Sequence, residues 1–179
     1  KPFQLDRPFF CLHRVTNMSQ AEIDYRDCDR EIWEEDLADF VPSRILDAHV
    51  HLYWRADVTG ADPRQPTDDD LEVLNQWAEV LYPGRRMQYL VLGMPCAGID
   101  VAKHIESVRR DIEGVPGIRY NRLVTPSCKL EDIERDLKNP QFIGLKPYRT
   151  FSVTGDIAQC RIHEFLPHEQ MEFAHERGL

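Results

Sequence analysis

The sequence predicts an α/β fold built on a parallel sheet, and three observations carry that prediction. Apolar runs of strand length alternate with segments of helical period through four successive β–α units. No two strand-like runs are joined by a two-residue turn. Three of the runs end alike, in Met94-Pro95, Thr125-Pro126 and Lys146-Pro147. Alternation without hairpins implies right-handed crossovers between parallel strands. The shared endings mark strand C-termini, the edge where parallel α/β folds place their active sites.

The elements follow in order. Residues 1–28 lack a clear period and are expected to be an N-terminal extension. A helix is expected over 29–40, where Ile32, Trp33, Leu37 and Phe40 recur at helical spacing and Pro42 supplies the stop. Residues 44–53 read as the first strand. The Asp-, Gly- and Pro-rich stretch 55–68 reads as a loop. Thr67 is the expected N-cap of a helix to 81 that turns Leu71, Leu74, Trp77, Ala78 and Leu81 to one side. Residues 87–94 are nearly all apolar, as suits a strand covered on both faces. A helix over 99–112, a strand over 118–125, a helix over 130–137 and a strand over 142–148 complete the alternation. A long loop leads to a final helix over 167–177, with Pro167 at its first position and Gly178 just past its end.

Bulk composition narrows the function. The chain has 179 residues, 42% hydrophobic and 30% charged, with a net charge of −9. That charge disfavours a nucleic-acid or anionic-membrane surface, both of which call for clustered Lys and Arg. No apolar run approaches the ~20 residues of a bilayer span. Five cysteines, an odd number without a CxxC pair, point to a reduced, cytoplasmic setting. There is no GxGxxG, no GxxxxGK[ST] and no GxSxG, which disfavours nucleotide-cofactor chemistry and serine-based hydrolysis.

The chemistry-bearing stretch is Asp47-Ala48-His49-Val50-His51 in the first strand. Positions i and i+2 of a strand share a face, so Asp47, His49 and His51 are expected to point the same way. Two imidazoles about 7 Å apart along one strand can both reach one divalent ion. Burying them in an apolar strand is costly unless a partner satisfies them. The alternative is two polar residues exposed at the strand mouth.

Leu46-Asp47-Ala48-His49-Val50-His51-Leu52 resembles the first-strand signature of the amidohydrolase superfamily. Two further segments fit its amidohydrolase-2 branch of metal-dependent hydrolases and decarboxylases. They are Asp36-Leu37-Ala38-Asp39-Phe40-Val41-Pro42 and the GxK segment Phe142-Ile143-Gly144-Leu145-Lys146-Pro147-Tyr148. The resemblance covers about residues 29–179. It implies a (β/α)₈ TIM barrel with one or two metals, zinc first among them, held in part by His49 and His51. Further His ligands on the fifth and sixth strands, and an Asp on the eighth that activates water, have no counterpart among these residues. A full barrel needs about 250 residues. The chain is therefore expected to supply strands one to four, a half-barrel whose second half lies in a longer chain or in a partner, with homo-oligomer formation as a further option.

The resemblance implies metal-dependent hydrolysis of a small-molecule substrate. A decarboxylase or sugar-acid isomerase uses the same scaffold, and a non-catalytic module is the reading if the chain is only 179 residues. Lys146 is expected in a catalytic position, either as a carbamylated metal bridge or as a cation for a substrate carboxylate; an ordinary hydrogen-bonded Lys is the alternative. Arg149, Tyr148 and Trp54 are candidate substrate-binding residues, with a surface ion pair or loop packing as the alternatives for Arg149 and Trp54. Cys96 and Cys128 are expected near the same edge, as ordinary buried thiols or as ligands. His163 and His168 are placed in or after the long loop. His104 and His175 are expected on helices away from the site, with no role.

Overall fold

The computed structural model describes residues 25–61 and 68–179. Thr67 and nearly all of the expected extension lie outside the described residues. Four strands, β1 (Arg44–Val50), β2 (Arg86–Leu92), β3 (Ile118–Val124) and β4 (Phe142–Pro147), form one sheet in the order β1-β2-β3-β4 with every pair parallel. Helices α2 (Leu71–Leu81), α3 (Val101–Ile112) and α4 (Leu130–Asp136) connect successive strands, and α5 (His168–Arg177) follows β4. The fold is therefore α/β with the predicted strand–helix alternation. No described helix is long and apolar enough to cross a membrane.

One sheet face packs against helices. Tyr89 and Val91 of β2, Ile118 and Tyr120 of β3 and Phe142 of β4 meet Leu71 of α2 and Ile105, Val108 and Ile112 of α3. Each such side chain contributes about 1.5–3 kcal/mol by leaving water. A smaller cluster joins Val124, Ile133 of α4 and Phe173 of α5. The strands approach closely at their C-terminal ends. A Cβ on Gly93 would sit 2.4 Å from the Leu123 Cβ, so only glycine fits there.

Several element boundaries differ from the sequence expectation. The first helix begins earlier, as α1 (Asp27–Ile32), and widens into a π-turn over Trp33–Leu37, where Ala38 N–H donates to the Trp33 carbonyl. Of the expected apolar stripe only Trp33 is buried; Ile32, Leu37 and Phe40 are exposed. Trp33 meets Tyr82 edge-on at 6.0 Å, and the Arg85 guanidinium lies over it at 5.0 Å while donating to the carbonyls of Ala38 and Val41. Arg85 thus satisfies carbonyls that the end of the helix leaves free. β1 stops at Val50 rather than 53, and Tyr53 instead pairs with Asp69 in an isolated bridge. The loop after it contains a 3₁₀ turn at Arg55–Asp57. Asp70, accepting from Val73 N–H, caps α2. On α2, Val73 is buried, whereas Trp77 and Leu81 are each about two-fifths exposed. Pro167 is the N-cap of α5, one place before its first helical residue, and Gly178 at φ 67° ends that helix.

Asp47 does not share a face with the histidines. The register runs Asp47↔Tyr89 and then Val50↔Val91, so β1 carries one residue more than β2 between those pairs. This bulge resets the alternation. Asp47 is left beside helix-facing Tyr89, its carboxylate accepting from His49 N–H at 3.0 Å.

A buried ion triad ties the sheet to two helices. Asp136 at the end of α4 accepts from Arg122 Nε of β3 and from Arg109 Nη2 of α3, both at 2.8 Å. Arg122 and Asp136 are almost fully buried, and Arg122 also donates to the Leu123 carbonyl. Removing one partner would strand a buried charge. Asp136→Ala is expected to destabilise the fold by about 3–5 kcal/mol. Urea unfolding followed by circular dichroism measures this; a loss below about 1 kcal/mol would mean that the triad behaves as an exposed ion pair.

Candidate metal centre

The C-terminal ends of β1 and β4 bring together His49, His51, Lys146 and Tyr148. His51 sits just past β1, in the position next to the Val50↔Val91 pair, and so on the same face as Leu92. Lys146 registers with Leu123 on β3. The bulge in β1 leaves both imidazoles on one side, with ring centroids 5.2 Å apart and planes at 73°. Tyr148 lies 6.4 Å from the His51 ring, and Lys146 Nζ lies 5.1 Å from the Tyr148 ring centre. His49 is exposed and His51 half-buried.

The protonation of His51 follows from its surroundings. Its Nδ1 is 3.0 Å from the Leu92 carbonyl. A carbonyl only accepts, so Nδ1 carries the proton and Nε2 is left with a free lone pair. Burial pushes the His51 pKa down, and the charges of His49 and Lys146 push the same way against backbone hydrogen bonding to Leu92 and, less strongly, Gly93. A neutral ring with a free Nε2 is the form that ligates a metal, and a carbonyl on the other nitrogen fixes its orientation. The Tyr148 hydroxyl is buried without a hydrogen-bond partner, and burial raises its pKa to about 12. It is a neutral phenol at any working pH.

The other sequence candidates lie elsewhere. Trp54 is buried in the core, 6.0 Å from the His104 ring, rather than lining an open wall. Arg149 turns into the loop after β4, donating to the Ala158 carbonyl and reaching Cys160 Sγ at 3.5 Å. Cys128 accepts from Thr125 N–H beneath the end of β3, and Cys96 lies half-buried with Sγ 3.5 Å from the Ala97 carbonyl. Cys28, Cys96, Cys128 and Cys160 are all free thiols. His163 and His168 stack on each other at 5.7 Å, exposed. A shallow surface depression lined by Leu71, Asn75, Glu79 and Asp111 shares no residue with the histidine cluster.

The position of His104 corrects the expectation that it lies away from the site. It is buried in the first turn of α3, and Nε2 accepts from Met94 N–H at 3.3 Å, just past the end of β2. Its Nδ1 faces Asp57 Oδ2 at 3.8 Å, too far for a hydrogen bond, and that buried oxygen has no partner. Burial is the main cause that lowers the His104 pKa to about 4, with the charge of His51 adding to it. The two side chains therefore do not form a charged pair at neutral pH. The sequence carried a signal for this: His104 lies on the helix face that also holds Ile105, Val108 and Ile112.

Two imidazoles are an incomplete donor set. Among the described residues no group of three or more His, Cys, Asp or Glu side chains is placed to hold a metal ion. No family model matches the chain, and neither the curated proteins nor the solved structures contain a match to it.

The buried neutral His104 makes stability depend on pH. The unfolded chain takes up a proton as pH falls below 6.5, whereas the folded chain resists until about 4. Stability is therefore expected to rise with pH across that window, by about 3 kcal/mol from this group, and to be level in this term above it. Half-buried His51 adds in the same direction. Denaturation at a series of pH values checks this, and His104→Gln should flatten the slope; an unchanged slope would show that His104 titrates normally.

Proposed function

We propose that the chain carries the first two ligands of a divalent-metal centre in a hydrolase of the amidohydrolase type, built on the first half of a (β/α)₈ barrel. The observation that carries this reading is the pair of facing imidazoles, His49 and His51, at the C-terminal edge of the parallel sheet, with His51 Nδ1 tied to the Leu92 carbonyl. The donors suit zinc, which prefers imidazole nitrogen, and His51 is held in the required neutral tautomer. The remaining ligands would come from outside the described residues, on strands that would extend the sheet or on a partner that closes it. When bound there, a divalent ion supplies a Lewis acid that polarises the scissile group and makes water acidic enough to react near neutral pH.

The chain's own residues would do the rest. Lys146 would hold the anionic part of a small-molecule substrate, because none of the ion pairs among the described residues involves it. Its placement over the Tyr148 ring orients the ammonium beside His51. Tyr148 presents an aromatic wall next to the imidazoles. Arg149, already engaged in its loop, has a structural role in this reading.

Replacing both His49 and His51 with Ala is expected to remove bound zinc while leaving the helical signal intact, since neither ring belongs to the buried core. Elemental analysis after equilibrium dialysis decides this, and full zinc retention would refute the assignment. The Lys146 ammonium, which pairs with no carboxylate among the described residues, also supports a second reading, a decarboxylase acting on a carboxylate substrate with the same ligands. Incubating the zinc-loaded protein with carboxylate-bearing amides and esters distinguishes the two. The hydrolase reading expects carboxylic acid release without CO₂, and CO₂ as the main product would replace it with the second.

A further inference from the structure

We propose that His104 is a positioning residue for His51, acting through the end of β2 and held in its working tautomer by Asp57. The inference rests on the reading of His51 as a ligand but uses a different set of contacts. His51 is oriented by the carbonyl of Leu92. Two residues further on, the Met94 N–H donates to His104 Nε2. Between them, Gly93 N–H donates to the Asn121 carbonyl, and Gly93 has no side chain to anchor the turn. The direction of the Leu92 carbonyl is thus set between a sheet hydrogen bond on one side and His104 on the other.

The tautomer of His104 is fixed by the same geometry. Nε2 accepts a backbone N–H, so the ring proton is on Nδ1. That proton faces Asp57 Oδ2, a buried carboxylate oxygen with no hydrogen-bond partner. Asp57 is itself anchored at both backbone ends: its N–H donates to the Trp54 carbonyl, and its carbonyl accepts from Asp100 N–H, the N-cap of α3. The Asp57 charge favours the proton on Nδ1, and with the proton there Nε2 stays open for Met94. Bonds to a ligating His from groups behind it typically change metal affinity by about 10–100-fold when lost. His104 is one peptide segment further removed and would act through the same carbonyl.

The test is His104→Leu, which keeps the volume apolar and removes the acceptor, beside His104→Gln, which can still accept from Met94. Two readouts are taken: the ring-nitrogen NMR shifts of His51, which report its tautomer, and the affinity for Co²⁺ as a spectroscopic probe. In folded His104→Leu, His51 is expected to become a mixture of tautomers and Co²⁺ to bind about 10–100-fold more weakly. His104→Gln should restore both. A folded His104→Leu with an unchanged His51 tautomer and unchanged Co²⁺ affinity overturns the proposal. Should His104→Leu not fold, Asp57→Asn carries the same readouts: movement in the same direction supports the proposal, and no movement overturns it. If the unmutated protein binds no Co²⁺, the metal reading falls, and the His51 tautomer alone decides whether His104 positions that ring.

Discussion

Asp136 is the point at which sheet and helices are joined. It lies at the end of α4, yet its two carboxylate oxygens take guanidinium groups from β3 and from α3. In water such pairs contribute little, but here one arginine and the aspartate are nearly sealed from solvent. A buried charge tolerates few geometries, so the triad permits little sliding of either helix over the sheet.

The second constraint is the bulge in β1. A regular strand would have carried Asp47 on the same face as His49 and His51, and would have set a carboxylate among the imidazoles. With one extra residue opposite β2, Asp47 moves beside Tyr89 and closes a turn on the His49 amide instead. What remains at the strand end is a cluster of two histidines, a lysine and a phenol. It carries no negative charge of its own in a chain whose net charge is −9. Burial, with these positive neighbours adding to it, holds the His51 pKa down and leaves the ring neutral.

Behind this cluster stands a second polar layer that closes the loops at the ends of β1 and β2. Trp54, Asp57 and His104 are all buried, and they link the segment after β1 to the first turn of α3. Burying a carboxylate and an imidazole side by side is costly unless hydrogen bonds satisfy them. Here the imidazole holds the end of β2, whose Leu92 carbonyl orients His51.

By itself the sequence determined the class of fold, because strand runs and helical stripes alternating without hairpins leave few alternatives to a parallel sheet. It also determined the neighbourhood of the candidate centre, since proline-terminated strands mark one edge and the HxH pair sits at that edge. Tertiary structure decided what depends on contacts between distant residues. The bulge that removes Asp47 from the site arises from pairing with β2, which no local pattern in β1 specifies. The burial of Trp54 and the turning of Arg149 into its own loop depend on how the segments after β1 and β4 fold back. The stripe in the first helix failed for the same reason: only Trp33 finds partners, in Tyr82 and Arg85, and its neighbours stay in water. His104 was visible as a polar residue on an apolar helix face. Its link to His51, through a backbone amide of another strand, came into being only when α3 packed against the end of β2.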